Sequence, residues 1–399
     1  MPVLKSSGKE ALDRVVDKIA AEKNLPGFLF AATTIDEEIY SKATGYNVLD
    51  KPESGKIDDE SIFWICSQTK MITHLALLQL IDQGKVSYDT PVSDYLPDFA
   101  NLLIIDDQFA DVWTYKPAKN VMLIKHILNF SSGLFYSMKG FKLDEQGGAY
   151  AASHDKTDPI GHFLSELKGG LPGIPILFEP GTSFAYGYSS DIVGFVVEKV
   201  TGQTLEEYFQ QNIFKPLGMK ASFYLTPDIK SKLVDLSYRR GDTLEPWSGQ
   251  TKLIEQDPSK VAVHLGGVGL YASVKDYLGL LPGKASNPII GKATLDTIFD
   301  PALTEAGAQA LGFLQGLDST VTSKGAQWST ALSVHTEDWP GRRKKGSASW
   351  WGWAHTMFFI DPTTNVAAVL GIQVIPTLDQ NVFKAWAQLE ETLYSELQE

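Results

Sequence analysis

The chain has 399 residues, 43% of them hydrophobic and 21% charged, with a formal net charge of −13. That length can bury a large core, and the acidity argues against nucleic acid or an anionic membrane surface as the main partner. A single cysteine, Cys66, excludes a disulfide framework and any cysteine-built zinc or iron–sulfur centre.

From the N-terminus, "MPVLKSSGKEALDRVVDKIA" lacks the apolar core and cleavage site of a secretory signal, and no stretch reaches the length of a membrane span. A cytoplasmic protein is the expectation. Residues 8–23 carry Leu12, Val15, Val16 and Ile19 at helical spacing. After the breaker "NLPG", "FLFAATTI" predicts a buried strand, and a short "DEE" turn into "IYSKATGYNV" predicts its hairpin partner. "SIFWICS" predicts an extended segment, and "QTKMITHLALLQLIDQG" a helix closing at Gly84. Residues 85 to about 260 predict helices between Pro/Gly loops, with little strand signal. "TMFFIDP" and "NVAAVLGIQV" predict adjacent strands, and "DQNVFKAWAQLEETLYSELQE" a closing helix. Strands at both ends and helices between predict one domain over 1–399. Its sheet comes from 1–62 and 265–399, and its mainly helical part, 63–264, is inserted.

Ser67 and Lys70 stand at i and i+3, on one face of the helix that follows. Near a helix N-terminus the local field favours negative charge developing on the serine. Serine becomes a nucleophile only when a neighbour takes its proton. Lysine does that only when neutral, after burial or nearby cations lower its pKa. The bland alternative is a capping serine and a surface lysine. Cys66 precedes the helix on a different face, and a small buried packing residue is its expected role. No G-x-S-x-G elbow, H-E-x-x-H or phosphate-binding loop is present. The seven histidines (74, 126, 154, 162, 264, 335, 355) form no tight cluster, so no metal and no cofactor are expected.

"ICSQTK" resembles the first motif of the serine β-lactamase and penicillin-binding-protein superfamily. Further segments resemble that family in order: "LPGFLFAATTIDEEIYSKATGYNV", "LLQLIDQGKVSYDTPVSDYLPDF", "IKHILNFSSGL", "FEPGTSFAYGYSSDIVGFVVEKVTG" and "GGVGLYASVKDYLGLL". The match is to the class C-like branch, and within it to family VIII-type esterases and lovastatin-type acyltransferases. The resemblance implies an α+β, β-lactamase/transpeptidase-like fold, with an antiparallel sheet built from both termini, flanked by helices, and a large helical insertion. Counting back from Gly194, it implies Tyr186 as the second-motif tyrosine and leaves Tyr188 where β-lactamases carry an asparagine that helps orient substrate. The third motif, Lys-Thr-Gly in β-lactamases, falls on "GSASWWGWAHTMFFIDP", with Gly352 aligned and Trp350 and Trp351 in place of Lys and Thr. The Trp353 N–H, or that of Ala354 if the register slips by one, is then expected to pair with the Ser67 N–H as an oxyanion hole.

What the resemblance implies for activity is a hydrolase or acyltransferase of secondary metabolism, working through a Ser67 acyl-enzyme on a neutral ester or thioester. Lys70 and Tyr186 would share the proton. Tyr188, Trp350, Trp351 and Gly352 would border the substrate, in an aromatic pocket with Trp64, Trp353 and Phe184. "PGRRKK", 340–345, is basic on an acidic protein. It is expected to be either a solvated turn or a dock for an acyl-carrier or CoA-linked donor. Two rivals stand beside this reading: a penicillin-recognising D-amino-peptidase or β-lactamase, and a catalytically silent scaffold.

Overall fold

The computed structural model describes residues 2–137, 148–150, 153–247, 254–255, 257–280 and 289–398. Helix α1 (Gly8–Ala21) leads into strands β1 (Phe28–Thr33) and β2 (Glu38–Thr44). Strand β3 (Ile62–Trp64) passes through a tight turn at 66–68 into α2 (Thr69–Asp82). The middle of the chain holds β4 (Leu102–Ile105), β5 (Tyr115–Pro117), β6 (Ile174–Ile176), α3 (Ser189–Thr201) and β7 (Ala221–Ser222). Then come β8 (Tyr271–Ser273), β9 (Ala326–Trp328), β10 (Ser333–His335) and β11 (Ala348–Trp351). Strands β12 (Met357–Asp361) and β13 (Val366–Gly371) precede the closing helix α4 (Gln380–Glu396).

The main sheet is antiparallel in the order β9-β10-β11-β12-β13-β1-β2, so both ends of the chain build it. Strand β1 lies between β2 and β13, with Ala31 opposite Val369. Every residue of β1 is buried, and successive side chains point to opposite faces of the sheet. Phe28, Phe30 and Ala32 pack with Leu12 and Val16 of α1 and Trp386 and Leu389 of α4. Leu29 and Ala31 join the larger core on the other face, which contains α2 and α3. Two smaller sheets are β5-β4-β6 and β3-β8-β7, and the strands β4, β5, β6 and β7 fall in the region where the sequence predicts little strand. Strands of two to four residues are too short to establish a period of two, which is why they escape detection. Among the described residues no helix is long and apolar enough to cross a membrane.

Helix α2 is buried on every side, from Thr69 to Leu80, as expected of a helix that is largely apolar around its circumference. Several of its polar side chains find partners inside the protein. Thr73 Oγ1 donates to the Gly266 carbonyl at 2.7 Å and Gln79 Nε2 to that of Ile289 at 2.7 Å. His74, which the sequence leaves as packed or at the surface, is fully buried. Its Nδ1–H donates to the Thr330 carbonyl at 2.8 Å, and Nε2 accepts from Ser190 Oγ at 2.8 Å. Burial pushes its pKa down to about 4.

The "PGRRKK" segment departs from expectation. Arg342 and Arg343 are only 6% and 2% exposed, so they are neither a solvated turn nor a docking patch. Both grip the wholly buried Glu390 of α4: Arg342 Nη2 reaches Oε2 at 2.5 Å, and Arg343 Nε and Nη2 reach Oε1 and Oε2 at 2.8 and 2.7 Å. Burial alone would raise the Glu390 pKa, but the two guanidinium groups override it and hold the carboxyl at about 2. Because that lies below the unfolded value of about 4.3, the stabilisation is present above the unfolded value and is lost as pH falls toward 2. Glu390→Gln leaves two buried guanidinium groups with their charge uncompensated, and is expected to cost about 3–5 kcal/mol at pH 7. The gap between variant and wild-type urea midpoints should narrow at pH 3. Equal midpoints at pH 7 would show that this cluster contributes nothing.

Candidate active site

The site is built around the turn that joins β3 to α2. Cys66 has φ of +47°, a left-handed conformation unusual for a residue with a side chain. That turn drives the Cys66 side chain into the core, fully buried, and leaves Ser67 at 8% exposure. The loop between β11 and β12 lies directly against it. A Cβ on Gly352 would stand 2.4 Å from Thr356 Oγ1 and 2.7 Å from the Ile65 carbonyl, so this approach needs glycine. Within the loop the Gly352 N–H donates to the Thr356 carbonyl at 2.7 Å. His355, at φ of +71°, is fixed by donating Nδ1–H to the Val374 carbonyl at 2.8 Å and accepting the Asp379 N–H at Nε2 at 2.8 Å. The amides of Trp353 and Ala354, the two registers of the expected oxyanion donor, both face the Cys66 sulfur. Burial pushes the Cys66 thiol far above its ordinary range, which leaves it inert as a nucleophile.

Lys70, 1% exposed, lies in the first turn of α2. Its Nζ donates to Ser67 Oγ at 3.1 Å, to the Tyr136 hydroxyl at 3.2 Å and to the Gly267 carbonyl at 2.7 Å. Burial lowers the Lys70 pKa, and the negative charge of Asp191 only partly offsets that. The neutral amine is therefore accessible near neutral pH. Tyr186 approaches from the segment before α3, its ring 4.8 Å from Lys70 Nζ and stacked on Phe130 at 5.3 Å. The Tyr186 hydroxyl accepts the indole N–H of Trp350 at 2.8 Å and lies on the Ser67 side of the site. Burial raises the Tyr186 pKa despite those contacts, so the phenol keeps its proton.

The structure thus brings Ser67, Lys70, Tyr186 and Trp350 together. Trp350, expected at the substrate border, is 5% exposed and uses its N–H on Tyr186. Trp351 is half-buried, against Trp350 and Phe383 at 4.5 and 6.1 Å between ring centres. Trp353 is also half-buried, edge-on to Trp64 at 6.0 Å. Trp64 and Phe184 belong to the core, Trp64 donating Nε1–H to the Val268 carbonyl at 2.7 Å. Tyr188 is 6% exposed and packs edge-on against Tyr136 at 4.8 Å. The phenol whose hydroxyl bonds to Lys70 is that of Tyr136, which sequence reasoning missed although it lies two residues after the quoted "SSGL".

A family model described as Beta-lactamase matches residues 12–390. The acyltransferase calJ of Penicillium decumbens is 28% identical over 364 residues, covering 86% of this chain and 83% of the relative. Lovastatin esterase of Penicillium rubens is 29% identical over 378 residues, covering 89% of each. Among solved structures, unliganded simvastatin synthase (LovD) of Aspergillus terreus has a TM-score of 0.81 at 21% identity, covering 98% of this chain and 99% of its own, a likeness of fold.

Four variants test the arrangement, with p-nitrophenyl butyrate as reporter. Ser67→Ala is expected to abolish turnover, whereas Cys66→Ala keeps most of it and loses some stability. Lys70→Ala and Tyr186→Phe should each lower kcat by about 10²–10⁴-fold, the range for losing a positioned proton carrier. A dead Cys66→Ala beside an active Ser67→Ala would overturn the choice of serine.

Proposed function

The chain belongs to the Beta-lactamase family, and from that premise we propose that it is a cytoplasmic esterase or acyltransferase of secondary metabolism working through a Ser67 acyl-enzyme. The observation that carries this reading is the Lys70–Ser67 hydrogen bond of 3.1 Å made by a buried amine whose protonated form is disfavoured. Two curated relatives, an acyltransferase and an esterase by name, support the reaction class.

In this mechanism neutral Lys70 takes the Ser67 proton as Oγ attacks the substrate carbonyl. The developing oxyanion is met by the Ser67 N–H and by the N–H of Trp353, or of Ala354 in the alternative register. Tyr186 already accepts from Trp350, so its own O–H is free to point toward Ser67 and the leaving group. It hands that proton to the departing oxygen or sulfur and is reprotonated by Lys70. Water or an alcohol then attacks the acyl-enzyme, giving its proton to Lys70, and Lys70 returns that proton to Ser67 Oγ as the ester bond breaks. The base is active when neutral, so kcat/KM rises with pH through the lowered lysine pKa and falls on the acid side.

The substrate follows from the third motif. Trp350 and Trp351 offer no cation for a substrate carboxylate, and a charge entering an aromatic site unpaired meets a desolvation penalty of about several kcal/mol. A neutral acyl group instead gains about 25 cal/mol per Å² of apolar surface buried. Neutral medium-chain or aromatic esters are the substrates we propose, with an acyl-carrier or CoA-linked thioester as a donor of the same class. With Arg342 and Arg343 buried, Lys344 and Lys345 are what the basic segment leaves for such a carrier.

A parallel assay of p-nitrophenyl butyrate, a thioester and nitrocefin, with and without added alcohols, separates the readings. The neutral ester is expected to exceed nitrocefin in kcat/KM by at least about a hundredfold, equivalent to about 2.7 kcal/mol. Product esters formed with alcohols would identify acyl transfer. Nitrocefin hydrolysis as efficient as the best ester would return the penicillin-recognising reading to first place.

A further inference from the structure

We propose that Asp191 is a positioning residue that holds both of Lys70's non-serine acceptors and thereby aims the third position of the amine at Ser67. The proposal rests on the Ser67 acyl-enzyme reading and goes beyond it, since Asp191 touches neither Ser67 nor Lys70. Asp191 lies in the first turn of α3 and is fully buried. Each of its oxygens anchors one arm. Oδ1 accepts the Gly267 N–H at 2.8 Å, and the Gly267 carbonyl accepts from Lys70 at 2.7 Å. Oδ2 accepts the Tyr150 hydroxyl at 2.6 Å, Tyr150 meets the Tyr136 hydroxyl at 2.8 Å, and Tyr136 meets Lys70 at 3.2 Å. Contact along the first arm is close: a Cβ on Gly267 would stand 2.5 Å from the Tyr150 oxygen and 2.7 Å from Asp191 Oδ2.

The chemistry of the groups fixes the direction of every bond. A carboxylate only accepts, so Tyr150 spends its single proton on Asp191. Tyr150 must then accept from Tyr136, which spends its own proton and turns lone pairs toward Lys70. A neutral amine has two N–H bonds and one lone pair. With both N–H bonds taken by Tyr136 and Gly267, the lone pair is left facing Ser67 Oγ at 3.1 Å. When Ser67 attacks, its proton fills that lone pair and no bond to Asp191 changes. An amide at 191 can donate to Tyr150, reverse the chain and point the Tyr136 proton at Lys70.

The charged and titratable groups around the pair are few. Lys70 faces Cys66 from the preceding turn, His74 from the next turn of α2, and Tyr136 and Tyr186 from the segments packed above it. Asp191 faces Tyr136, Tyr150, Tyr186 and Tyr188. Burial raises the Asp191 pKa, and Lys70 is the cation that works against it. Removing the Asp191 charge therefore destabilises protonated Lys70 further, and its pKa falls.

The test is the pH profile of kcat/KM for p-nitrophenyl butyrate in wild type, Asp191→Asn, Tyr150→Phe and Ser67→Ala, with folding checked by circular dichroism. Asp191→Asn is expected to move the acid limb down by about one to three pH units and to lower the plateau. Tyr150→Phe keeps the charge and breaks one arm. It should lower kcat about tenfold, the loss of one hydrogen bond, with KM and the acid limb unchanged. A folded Asp191→Asn with an unmoved acid limb overturns the proposal. If that variant does not fold, a wild-type kcat in Tyr150→Phe overturns it. Ester turnover surviving in Ser67→Ala overturns the acyl-enzyme reading itself, and this proposal with it.

Discussion

A lysine amine kept dry is the constraint on which the rest of this molecule depends. Burying an ammonium group costs several kcal/mol, and a fold can lower that cost by pairing the charge or by letting the proton leave. A carboxylate in direct contact would pair it and keep Lys70 protonated. Here the three acceptors at Lys70 are a serine hydroxyl, a phenol and a peptide carbonyl, all uncharged. They satisfy hydrogen bonding without neutralising the charge, and the nearest counter-charge stands one group further away. The all-round burial of α2 is what makes this possible, because no face of the helix offers the amine an exit to water.

Tryptophans at 350 and 351, where the resemblance implies a cationic third motif, fit the same scheme. A neighbouring cation is one way to depress a lysine pKa, and burial is another. With indoles at 350 and 351, burial is the larger influence on Lys70. The indole N–H of Trp350 also settles which way the Tyr186 hydroxyl points, a task that a point charge performs less directionally. Under the proposed function, the same pair of indoles would set substrate preference and proton geometry together.

Ser67 and Lys70 were legible in the sequence because i, i+3 spacing on a helix is a local property, and the strands at both ends were legible because they are long and apolar. Tyr186 needed family resemblance, since nothing local distinguishes it from Tyr188. Asp191 and Glu390 were not picked out, yet each left a trace. Glu390 falls one position after Leu389 on the stripe Val382, Phe383, Trp386, Leu389 and Leu393, all buried. Asp191 opens the fully apolar run "DIVGFVV". An acid on a buried stripe requires a buried partner. The partner's identity is set by contacts between distant segments, such as Glu390 with Arg342 and Asp191 with Gly267, and periodicity carries no information about those. The same limit made "RRKK" look like surface.

The position of β1 between β2 and β13 has a consequence for synthesis in the cell. Helix α1 and the β1–β2 hairpin are local and can form as they leave the ribosome, covering one face of the strand. The other edge of β1 waits for its partner, because Ala31 pairs with Val369. At about 5–20 residues per second, translation leaves that edge open for roughly tens of seconds. An all-apolar strand with an unpaired edge is a template for aggregation, so the nascent protein depends on shielding during that interval. Trp350 and the turn that carries Trp353 also emerge late. The main sheet therefore closes only near the end of translation, when β13 reaches the open edge of β1.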